Sequence, residues 1–358
     1  MNPEYIAVLM FGLLVLGLFM GHPLAFVLGG TAVLTAIIAG KPMVLGIMIN
    51  RIFGDVLDNY ILIAIPLFVL MARFLSDSGV TDRMFEALRL MLSQVRGGLA
   101  LAVVFISILL AATTGIIGAS ITVMGVMALR PMLQYGYAPA LTSGVIAASG
   151  CLGILIPPSI MLILMASYSP LSVGELFAGS MMPGLLLGLT YALYVYLISV
   201  FRPDLAPAVK LDEKISRAAL AKMLLFEAMP PLVLIFGILG SLLAGIATAT
   251  EASAIGAALA LIIVIARGKF RLATFYSAMV ETGRTSAMIL FIVLQTSFLT
   301  PPFGYALFYL RAIAPRELRT SSIILGVLPF IGLIVVMCVL VALFPGLVTW
   351  LPDRLYTR

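Results

Sequence analysis

Two proline pairs, each preceded by small polar residues, are the part of this sequence with the clearest capacity for chemistry. The first pair lies in Leu155–Ser159 (LIPPS) and the second in Leu299–Phe303 (LTPPF). A proline cannot donate a backbone hydrogen bond inside a helix, but it fits the first helical turn. Each pair therefore predicts a short helix that begins after a break in the chain.

The residues around each predicted break could bind ions through oxygen atoms and backbone N–H groups. Hydroxyl and unwound carbonyl oxygens suit a hard cation such as Na⁺, whereas the positive N-terminus of a half-helix suits a carboxylate. The candidate ligands in the first half are Thr114, Gly115, Gly118, Ser120, Ser149, Gly150, Gly153, Pro157, Pro158 and Ser159. Those in the second half are Thr296, Ser297, Thr300, Pro301, Pro302 and Gly304. The alternative is proline kinks with small-residue helix contacts, but the repetition of the pattern favours a binding site.

Two charged residues are possible further members of the site. Glu251 could be an intramembrane carboxylate, or it could stabilise the first turn of a helix. Arg284 could pair with Glu281 three residues earlier on one helix face, or it could attract a carboxylate substrate. Both pairs of alternatives stay open at this point.

The sequence offers little for transition-metal or cofactor chemistry. His22 is the only histidine, and Cys151 and Cys338 lie in apolar segments without a CxxC spacing. We therefore expect two buried thiols, no cofactor, and no metal other than Na⁺ held by oxygen ligands.

The amino-acid composition indicates whether these helix breaks lie in water or in a membrane. Of the 358 residues 63% are hydrophobic and only 10% are charged, whereas soluble globular proteins carry about 25% charged residues. This excludes a soluble enzyme and predicts an all-α polytopic membrane protein. Predicted helices are Ile6–Met20, Leu24–Ala39, Ile61–Leu75, Leu185–Phe201, Leu224–Leu243 and Ala252–Ala266, with a polar connector at Ser76–Gly98 and a glycine-interrupted stretch at Leu99–Ser167. Non-helical backbone at membrane depth requires cover from protein or a cavity.

The spacing of the prolines reveals an internal repeat. The two pairs are 144 residues apart, and Pro183 and Pro329 are 146 apart. The chain therefore divides into a first repeat, 1–201, with a complete hairpin at about 99–167; a basic linker, 202–222; and a second repeat, 223–358, with a partial hairpin at about 294–312. The second repeat is shorter, since 156 residues precede the first pair but only 78 separate Met223 from the second.

The basic residues lie in short connections. The net charge is +6, and the linker 202–222 and the turn Arg267–Arg271 carry several of the cations. Two predicted spans separate these segments, so both should face the same side, which the positive-inside rule assigns to the cytoplasm. This distribution argues against nucleic-acid binding.

At this point the chain resembles a known family, the large membrane subunit (DctM type) of the tripartite ATP-independent periplasmic (TRAP) transporters. The similar segments follow the family order along nearly the whole chain. They include Gly21–Phe26 (GHPLAF), Ala147–Ile160 (AASGCLGILIPPSI), Gly245–Gly256 (GIATATEASAIG), Glu281–Met288 (ETGRTSAM) and Gln295–Phe308 (QTSFLTPPFGYALF).

The resemblance implies a permease of the bacterial inner membrane, with two inverted repeats and re-entrant hairpins, that works as an elevator-type secondary transporter. Such a protein is not an enzyme. It would import an organic acid, such as a C4-dicarboxylate or a sugar acid, together with Na⁺. The implied partners are a small four-helix membrane subunit and a periplasmic substrate-binding protein. The family carries further spans, and the first arm of the second hairpin, between the positions of Val293 and Leu294, so the second repeat is shortened there.

Two other functions remain as alternatives. One is an ion-coupled carrier from another inverted-repeat family that works without a binding protein. The other is a non-transporting scaffold or degenerate pseudo-subunit, which the shortened second repeat favours. An integral-membrane enzyme is disfavoured because no HExxH or GxSxG motif occurs.

Overall fold

The computed structural model describes residues 3–20, 24–40, 43, 46, 49–50, 53–54, 58–115, 117–209, 217–294 and 320–356. Every regular element in these ranges is helical. The prediction of an all-α protein is therefore confirmed for this part of the chain.

Fifteen α-helices are numbered here in chain order across the described residues. They are α1 Pro3–Phe19, α2 Leu24–Ile38, α3 Ala64–Asp77, α4 Val80–Met91, α5 Gly98–Thr114, α6 Ile117–Met124, α7 Arg130–Gln134, α8 Pro139–Cys151, α9 Ile160–Tyr168, α10 Val173–Phe201, α11 Arg217–Leu243, α12 Ala249–Ala266, α13 Leu272–Leu294, α14 Thr320–Leu343 and α15 Gly346–Tyr356. Short 3₁₀ helices occur at Tyr60–Ile63, Leu152–Ile154 and Pro203–Leu205. A short π-helix at Gly125–Leu129 joins α6 to α7.

Within the described ranges, five helical segments are long and apolar enough to cross a bilayer. They are Tyr60–Asp77, Ile117–Gln134, Val173–Phe201, Ala218–Leu243 and Ala249–Ala266. Large apolar side chains such as Leu193 and Phe236 are exposed on these helices. Their surface suits hydrocarbon rather than water, which confirms a multi-pass membrane protein.

One group of helices, α3, α4, α11, α12 and α13, forms what we call the ion-paired bundle. Its central helices α3 and α12 pack along each other in parallel. At their beginnings the Thr250 hydroxyl donates to the carbonyl of Tyr60 over 2.8 Å. At their ends the Lys269 ammonium group lies against Gly79.

A second group, α5 to α10, forms what we call the hairpin bundle. Three contacts close one end of it, which is the base of the bundle. The Leu99 N–H donates to the Tyr137 hydroxyl over 3.2 Å. The N–H groups of Gly97 and Ala138 donate to the carbonyls of Ala206 and Leu205 over 3.0 and 2.9 Å, respectively. The segment after α10 therefore ties the ends of α5 and α8 together.

Helix α14 packs across α8 of the hairpin bundle at two glycines. A β-carbon on Gly144 would lie 2.0 Å from the carbonyl oxygen of Gly326, and one on Gly326 would lie 1.7 Å from that of Ala140. Phe330 of α14 contacts Tyr191 and Tyr194 of α10 edge-on, with ring centroids 5.1 Å apart in each pair. Small residues allow this close approach of the helices.

Helix boundaries differ from the predictions where polar residues belong to helices. The expected connector 76–98 contains the amphipathic helix α4, which buries Met84, Phe85 and Leu88. Helix α10 begins at Val173 instead of Leu185, because Ser172 caps its first turn. Helix α11 begins at Arg217, so the last residues of the predicted linker are helical.

The two basic segments do lie at one end of the ion-paired bundle. Helices α11 and α12 are consecutive and pack together, and Arg267 at the end of α12 contacts Glu227 of α11, with 2.6 Å between Nη1 and Oε2. The beginning of α11 and the end of α12 therefore lie together, in agreement with a shared side, while the assignment of that side to the cytoplasm stays a prediction.

The two cysteines have different environments. Cys151 is buried, as expected, but Cys338 is exposed, so that expectation was wrong for the second thiol. A membrane helix has apolar residues on its outer face as well as its inner face. An apolar segment therefore does not by itself predict burial.

Candidate functional site

The hairpin bundle contains a helical hairpin whose tip lies at Gly115. Helix α5 ends at Thr114, and the chain returns through α6 and α7 to Tyr137, which contacts Leu99 at the start of α5. Gly115 caps α5 with φ of +60°, a left-handed conformation that favours glycine. The chain can therefore turn sharply at this position.

The first proline pair lies in a separate broken helix. Helix α8 ends at Cys151, a 3₁₀ turn follows, and α9 begins at Ile160. We expected one hairpin over 99–167 that included this pair. The structure instead divides the stretch into a hairpin, 98–134, and a broken helix, 139–168, because the chain already turns back at Gly115.

The hairpin tip packs directly on the break between α8 and α9. A β-carbon on Gly115 would lie 3.0 Å from the carbonyl oxygen of Pro158, 3.3 Å from the backbone nitrogen of Ile160 and 3.4 Å from Cα of Ser159. Two interruptions, 114–117 and 152–159, are thus brought together from different parts of the chain. The candidate ligands Gly115, Pro158 and Ser159 adjoin one another.

Buried hydroxyl groups accompany these interruptions. Ser149, near the end of α8, is fully buried, and its Oγ has no hydrogen-bond partner within the described part of the chain. The Ser159 hydroxyl donates to the carbonyl of Ile154 over 2.8 Å and stabilises the bend. A buried hydroxyl without a partner costs about 1–3 kcal/mol, so Ser149 is the side chain best placed to gain from an added ligand.

The first turn of helix α9 lies at the same place, and its backbone N–H groups have no acceptor inside the helix. Ser159 has extended backbone angles and makes no side-chain cap. Its carbonyl accepts from the N–H of Ile163 over 3.2 Å. The N–H groups of the first turn therefore have no acceptor within α9, and the positive end of the helix faces the tip at Gly115.

Three glycines allow close packing around the break. Gly150 was predicted as a ligand, whereas Gly184 and Gly188 were not among the predicted site residues. A β-carbon on Gly184 of α10 would lie 2.9 Å from the Ile156 side chain in the break, whereas one on Gly188 would lie 2.8 Å from Ile108 of α5 and 3.5 Å from Leu152. Gly150 abuts the backbone nitrogen of Ile121, 3.2 Å from the β-carbon position. The four-residue spacing of the α10 glycines is the signal that could have revealed this contact.

The other predicted residues of the first half also lie in these segments. Thr114 is the last residue of α5, Gly118 and Ser120 are buried in α6, and Gly153 is buried in the 3₁₀ turn. Pro157 precedes Pro158 in the break. The predicted residues of the second half, Thr296, Ser297, Thr300, Pro301, Pro302 and Gly304, lie outside the described residues, as does His22.

Glu251 forms a capping box at the start of α12. Its Oε2 accepts from the N–H and the hydroxyl of Thr248 over 2.8 and 2.9 Å, and the Thr248 hydroxyl accepts from the Glu251 N–H. The side chain is exposed. These contacts agree with the alternative in which Glu251 stabilises the first turn of a helix.

Arg284 does not pair with Glu281. The Glu281 carboxylate instead contacts Arg73 of α3, with 2.7 Å between Oε2 and Nη1, and Arg284 is exposed on α13. The prediction was based on spacing along one helix. The packing of α13 on α3 instead brings Arg73 next to Glu281.

Comparison with known proteins relates most of the chain to one family. The profile of the "Tripartite ATP-independent periplasmic transporter, DctM component" matches residues 11–295 and 288–347. The two matched pieces overlap at 288–295, where the sequence predicted that the second repeat is shortened. Relatives include C4-dicarboxylate TRAP transporter large permease proteins DctM of Pseudomonas aeruginosa (32% identical) and Vibrio cholerae (34% identical), covering 79% and 70% of this chain.

A third relative is the isethionate TRAP transporter permease protein DctMQ of Oleidesulfovibrio alaskensis, 30% identical over 79% of this chain. The chain spans 64%, 54% and 44% of the lengths of these three relatives, respectively. The similarity therefore covers most of this chain but only part of each relative.

Proposed function

Because this chain belongs to the DctM family of tripartite ATP-independent periplasmic transporters, we propose that it is the permease subunit of a sodium-coupled importer of an organic acid. Membership of this family makes it a multi-pass protein of the bacterial inner membrane and not an enzyme. The observation that supports the proposed chemistry is the contact of the Gly115 tip with the Pro158–Ser159 break, which follows the helix that carries Ser149, a buried residue whose hydroxyl has no partner within the described residues.

In this proposal the oxygen atoms near the two interruptions bind Na⁺. The Ser149 hydroxyl and unwound carbonyls replace water around the ion, and neutral oxygen ligands suit a monovalent hard cation. The bound charge would then favour an anion at the N-terminus of α9, where the first-turn N–H groups have no acceptor inside the helix. Ion and carboxylate would thus support each other's binding at one place.

The substrate is proposed to be a carboxylate. Two of the three relatives described above are named for C4-dicarboxylates, and a half-helix N-terminus favours anions. The partners in this proposal are a small four-helix membrane subunit and a periplasmic binding protein that delivers the substrate.

Movement in this proposal is of the elevator type, with the hairpin bundle shifting against the ion-paired bundle. Helix α4 is the last element of the ion-paired bundle before the hairpin bundle, and a glycine in the left-handed region directly precedes each of the helices α4 and α5. These are Gly79, with φ of +68°, and Gly97, with φ of +72°. Such positions can absorb a change of backbone direction during a hinge movement.

Thermal unfolding of the purified chain tests the ion site without a substrate. We expect a higher unfolding temperature in NaCl than in KCl at equal ionic strength, since a ligand bound only by the folded state stabilises by about 2.7 kcal/mol at a hundred times its Kd. Ser149→Ala should abolish this sodium-specific rise while leaving stability in KCl unchanged or higher.

Ser143→Ala is the matched control on the same helix. The Ser143 hydroxyl donates to the carbonyl of Pro139 over 2.8 Å within α8, so its loss should leave the sodium-specific rise intact. A full sodium response in Ser149→Ala would contradict the site assignment.

The shortened second repeat favours a second candidate function, that of a non-transporting subunit. The two family matches meet at 288–295, so the chain could retain the fold and partner binding of the family without carrying substrate. Identical unfolding curves in NaCl and KCl, together with co-purification of the small membrane subunit, would support this candidate against the first.

A further inference from the structure

A shallow cavity, open to the surface, lies between α3, α12 and α13 of the ion-paired bundle. It is at the end of the bundle where Arg267 meets Glu227, and it is separate from the hairpin bundle. Its walls combine aromatic rings with charged side chains, which is unusual for a surface that faces only hydrocarbon.

Three phenylalanines form the apolar part of the cavity. The rings of Phe74 and Phe275 stack with centroids 5.8 Å apart, and those of Phe270 and Phe275 are 6.0 Å apart. Phe270 is partly exposed at the mouth. This surface suits the glycerol and first acyl carbons of a lipid, because aromatic side chains favour the boundary between membrane and water.

The charged part of the cavity has a net positive charge. The Asp77 carboxylate is already bound by Arg73, with 3.2 Å between Oδ2 and Nε. Lys269 and Arg271 line the same cavity and are exposed, and neither forms an ion pair with a carboxylate within the described ranges. An anion is therefore the missing partner of these two cations.

The surroundings place the cavity where lipid headgroups lie. Ile265, Leu272 and Tyr276 flank it and are largely exposed, while Arg271 immediately precedes α13 and its carbonyl accepts from Phe275. Apolar residues that face outward beside unpaired cations mark the interface between hydrocarbon and headgroups. Basic pockets of this kind between transmembrane helices bind anionic headgroups.

We propose that this cavity binds an anionic phospholipid. Lys269 and Arg271 hold the phosphate, and Phe270 and Phe275 contact the glycerol and the beginning of an acyl chain. The bound lipid compensates two charges that the chain leaves unpaired, and it fastens the turn between α12 and α13 to the end of α3. This proposal does not depend on sodium binding or transport.

The full chain in detergent, titrated with phosphatidylglycerol, phosphatidylcholine or inorganic phosphate, tests the proposal. Native mass spectrometry counts bound lipid, and thermal unfolding measures its effect. We expect phosphatidylglycerol alone to bind and to raise the unfolding temperature. Arg271→Gln should weaken its binding about fivefold, since one cation near an anionic lipid contributes about 1 kcal/mol.

Two further variants test whether lipid binding also depends on the aromatic ring and whether it reflects only unspecific electrostatic attraction. Phe270→Ala leaves the charge unchanged and should also weaken binding of phosphatidylglycerol. Arg130→Gln removes an exposed arginine of the hairpin bundle that does not line the cavity, and it should bind the lipid as the parent does. Arg271 is preferred to Lys269 for the test because Lys269 also packs on Gly79.

Three results would overturn the proposal. Equal protection by inorganic phosphate would indicate a site for a free anion instead of a lipid. Equal loss in Arg130→Gln would indicate unspecific attraction to the whole surface. Equal binding of phosphatidylcholine and phosphatidylglycerol would show that the two cations do not select the headgroup.

Discussion

The two bundles of this protein use polar groups in different ways. In the ion-paired bundle, charged residues join separate helices: Arg73 of α3 contacts Glu281 of α13, and Glu227 of α11 contacts Arg267 and Arg83. In the hairpin bundle, no ion pair occurs among the described residues of 98–201, and the buried polar groups are hydroxyls and interrupted backbone. One bundle is fixed by charge, whereas the other keeps neutral donors and acceptors available.

This difference has a physical consequence for function. A charged pair binds its partner tightly and gains little from an added ion, whereas an unpartnered hydroxyl such as Ser149 gains a ligand at no cost in broken bonds. The hairpin bundle, in which no ion pair occurs within the described residues of 98–201, is therefore the better suited of the two to bind a small cation such as Na⁺. The four predictions below test this comparison, beginning with the largest expected effect.

Removing the Glu227 carboxylate should destabilise the ion-paired bundle most. Glu227 is 3% exposed and the side chain of Arg267 is 15% exposed, so Glu227→Gln leaves a largely buried guanidinium without its partner. Breaking a buried pair in this way costs about 3–5 kcal/mol. Chemical unfolding of the two proteins in detergent measures the difference.

The matched control for Glu227 is an ion pair on the same bundle that is more exposed. Glu86 contacts Arg89 of α4, with 42% of its side chain exposed. Glu86→Gln should cost about 0.2–1 kcal/mol. Equal losses in the two variants would show that burial does not determine the strength of these pairs.

A side chain at the hairpin tip should be the next most harmful change. Gly115→Ala places a β-carbon 3.0 Å from the carbonyl oxygen of Pro158 and retains φ of +60°. The left-handed conformation alone costs a residue other than glycine about 1–2 kcal/mol. We expect a larger loss of stability than this figure, together with a weaker sodium response, in thermal unfolding.

Gly245→Ala isolates the contact from the backbone conformation. Gly245 has φ of +69°, but a β-carbon there would meet nothing within 4 Å. This variant should therefore show only the conformational cost. Should both substitutions prove equally harmful, the close packing of the tip on the break would have no energetic role.

The capping boxes provide the same local interaction in both bundles. Ser172 caps α10 through the N–H of Glu175, and Thr248 caps α12 through that of Glu251. Ser172→Ala and Thr248→Ala should each cost about 1 kcal/mol. Equal values in denaturant unfolding would show that the two bundles differ in long-range contacts and share their local ones, whereas a much larger loss in either would contradict this.

The smallest effect is expected at the exposed ion pair between α3 and α13. Arg73 and Glu281 have 37% and 47% of their side chains exposed, so Glu281→Gln should cost about 0.2–1 kcal/mol. Raising the ionic strength with KCl should reduce this loss, because salt screens exposed charges. A loss that does not change with salt would argue against an electrostatic origin.

Much of the fold followed from apolar runs and proline positions. The run before Phe201 predicted a helix, and the proline pair at Pro157-Pro158 predicted a break before a short helix, as α9 shows. Helix starts were less accurate, because Ser172 lies in a polar turn whose capping role depends on Glu175 reaching back. The amphipathic α4 was missed because its polar residues resemble those of a connector.

The candidate site was predicted in part. Ser149, Gly115 and Ser159 were chosen for residue type and proximity to a break, and the structure brings their segments together. The role of Gly184 and Gly188 was not predicted; their four-residue spacing indicates a close helix contact but does not indicate which neighbour is touched. The sequence offered Arg284 as a possible partner of Glu281. The observed partner, Arg73, could not be predicted because it lies 208 residues away in the chain.

The sequence by itself determined the membrane environment, the position of the helix break at Pro157-Pro158 and the family. These properties depend on composition, on the missing N–H of proline and on residue order, which are local or additive. Only the tertiary structure decided which break touches which, because contact between Gly115 and Pro158 depends on the packing of three helices. It also decided that Lys269 and Arg271 share a cavity in which neither pairs with a carboxylate of the described residues. The pairing of a charge is set by which residues surround it in space, and that information is not contained in spacing along the chain.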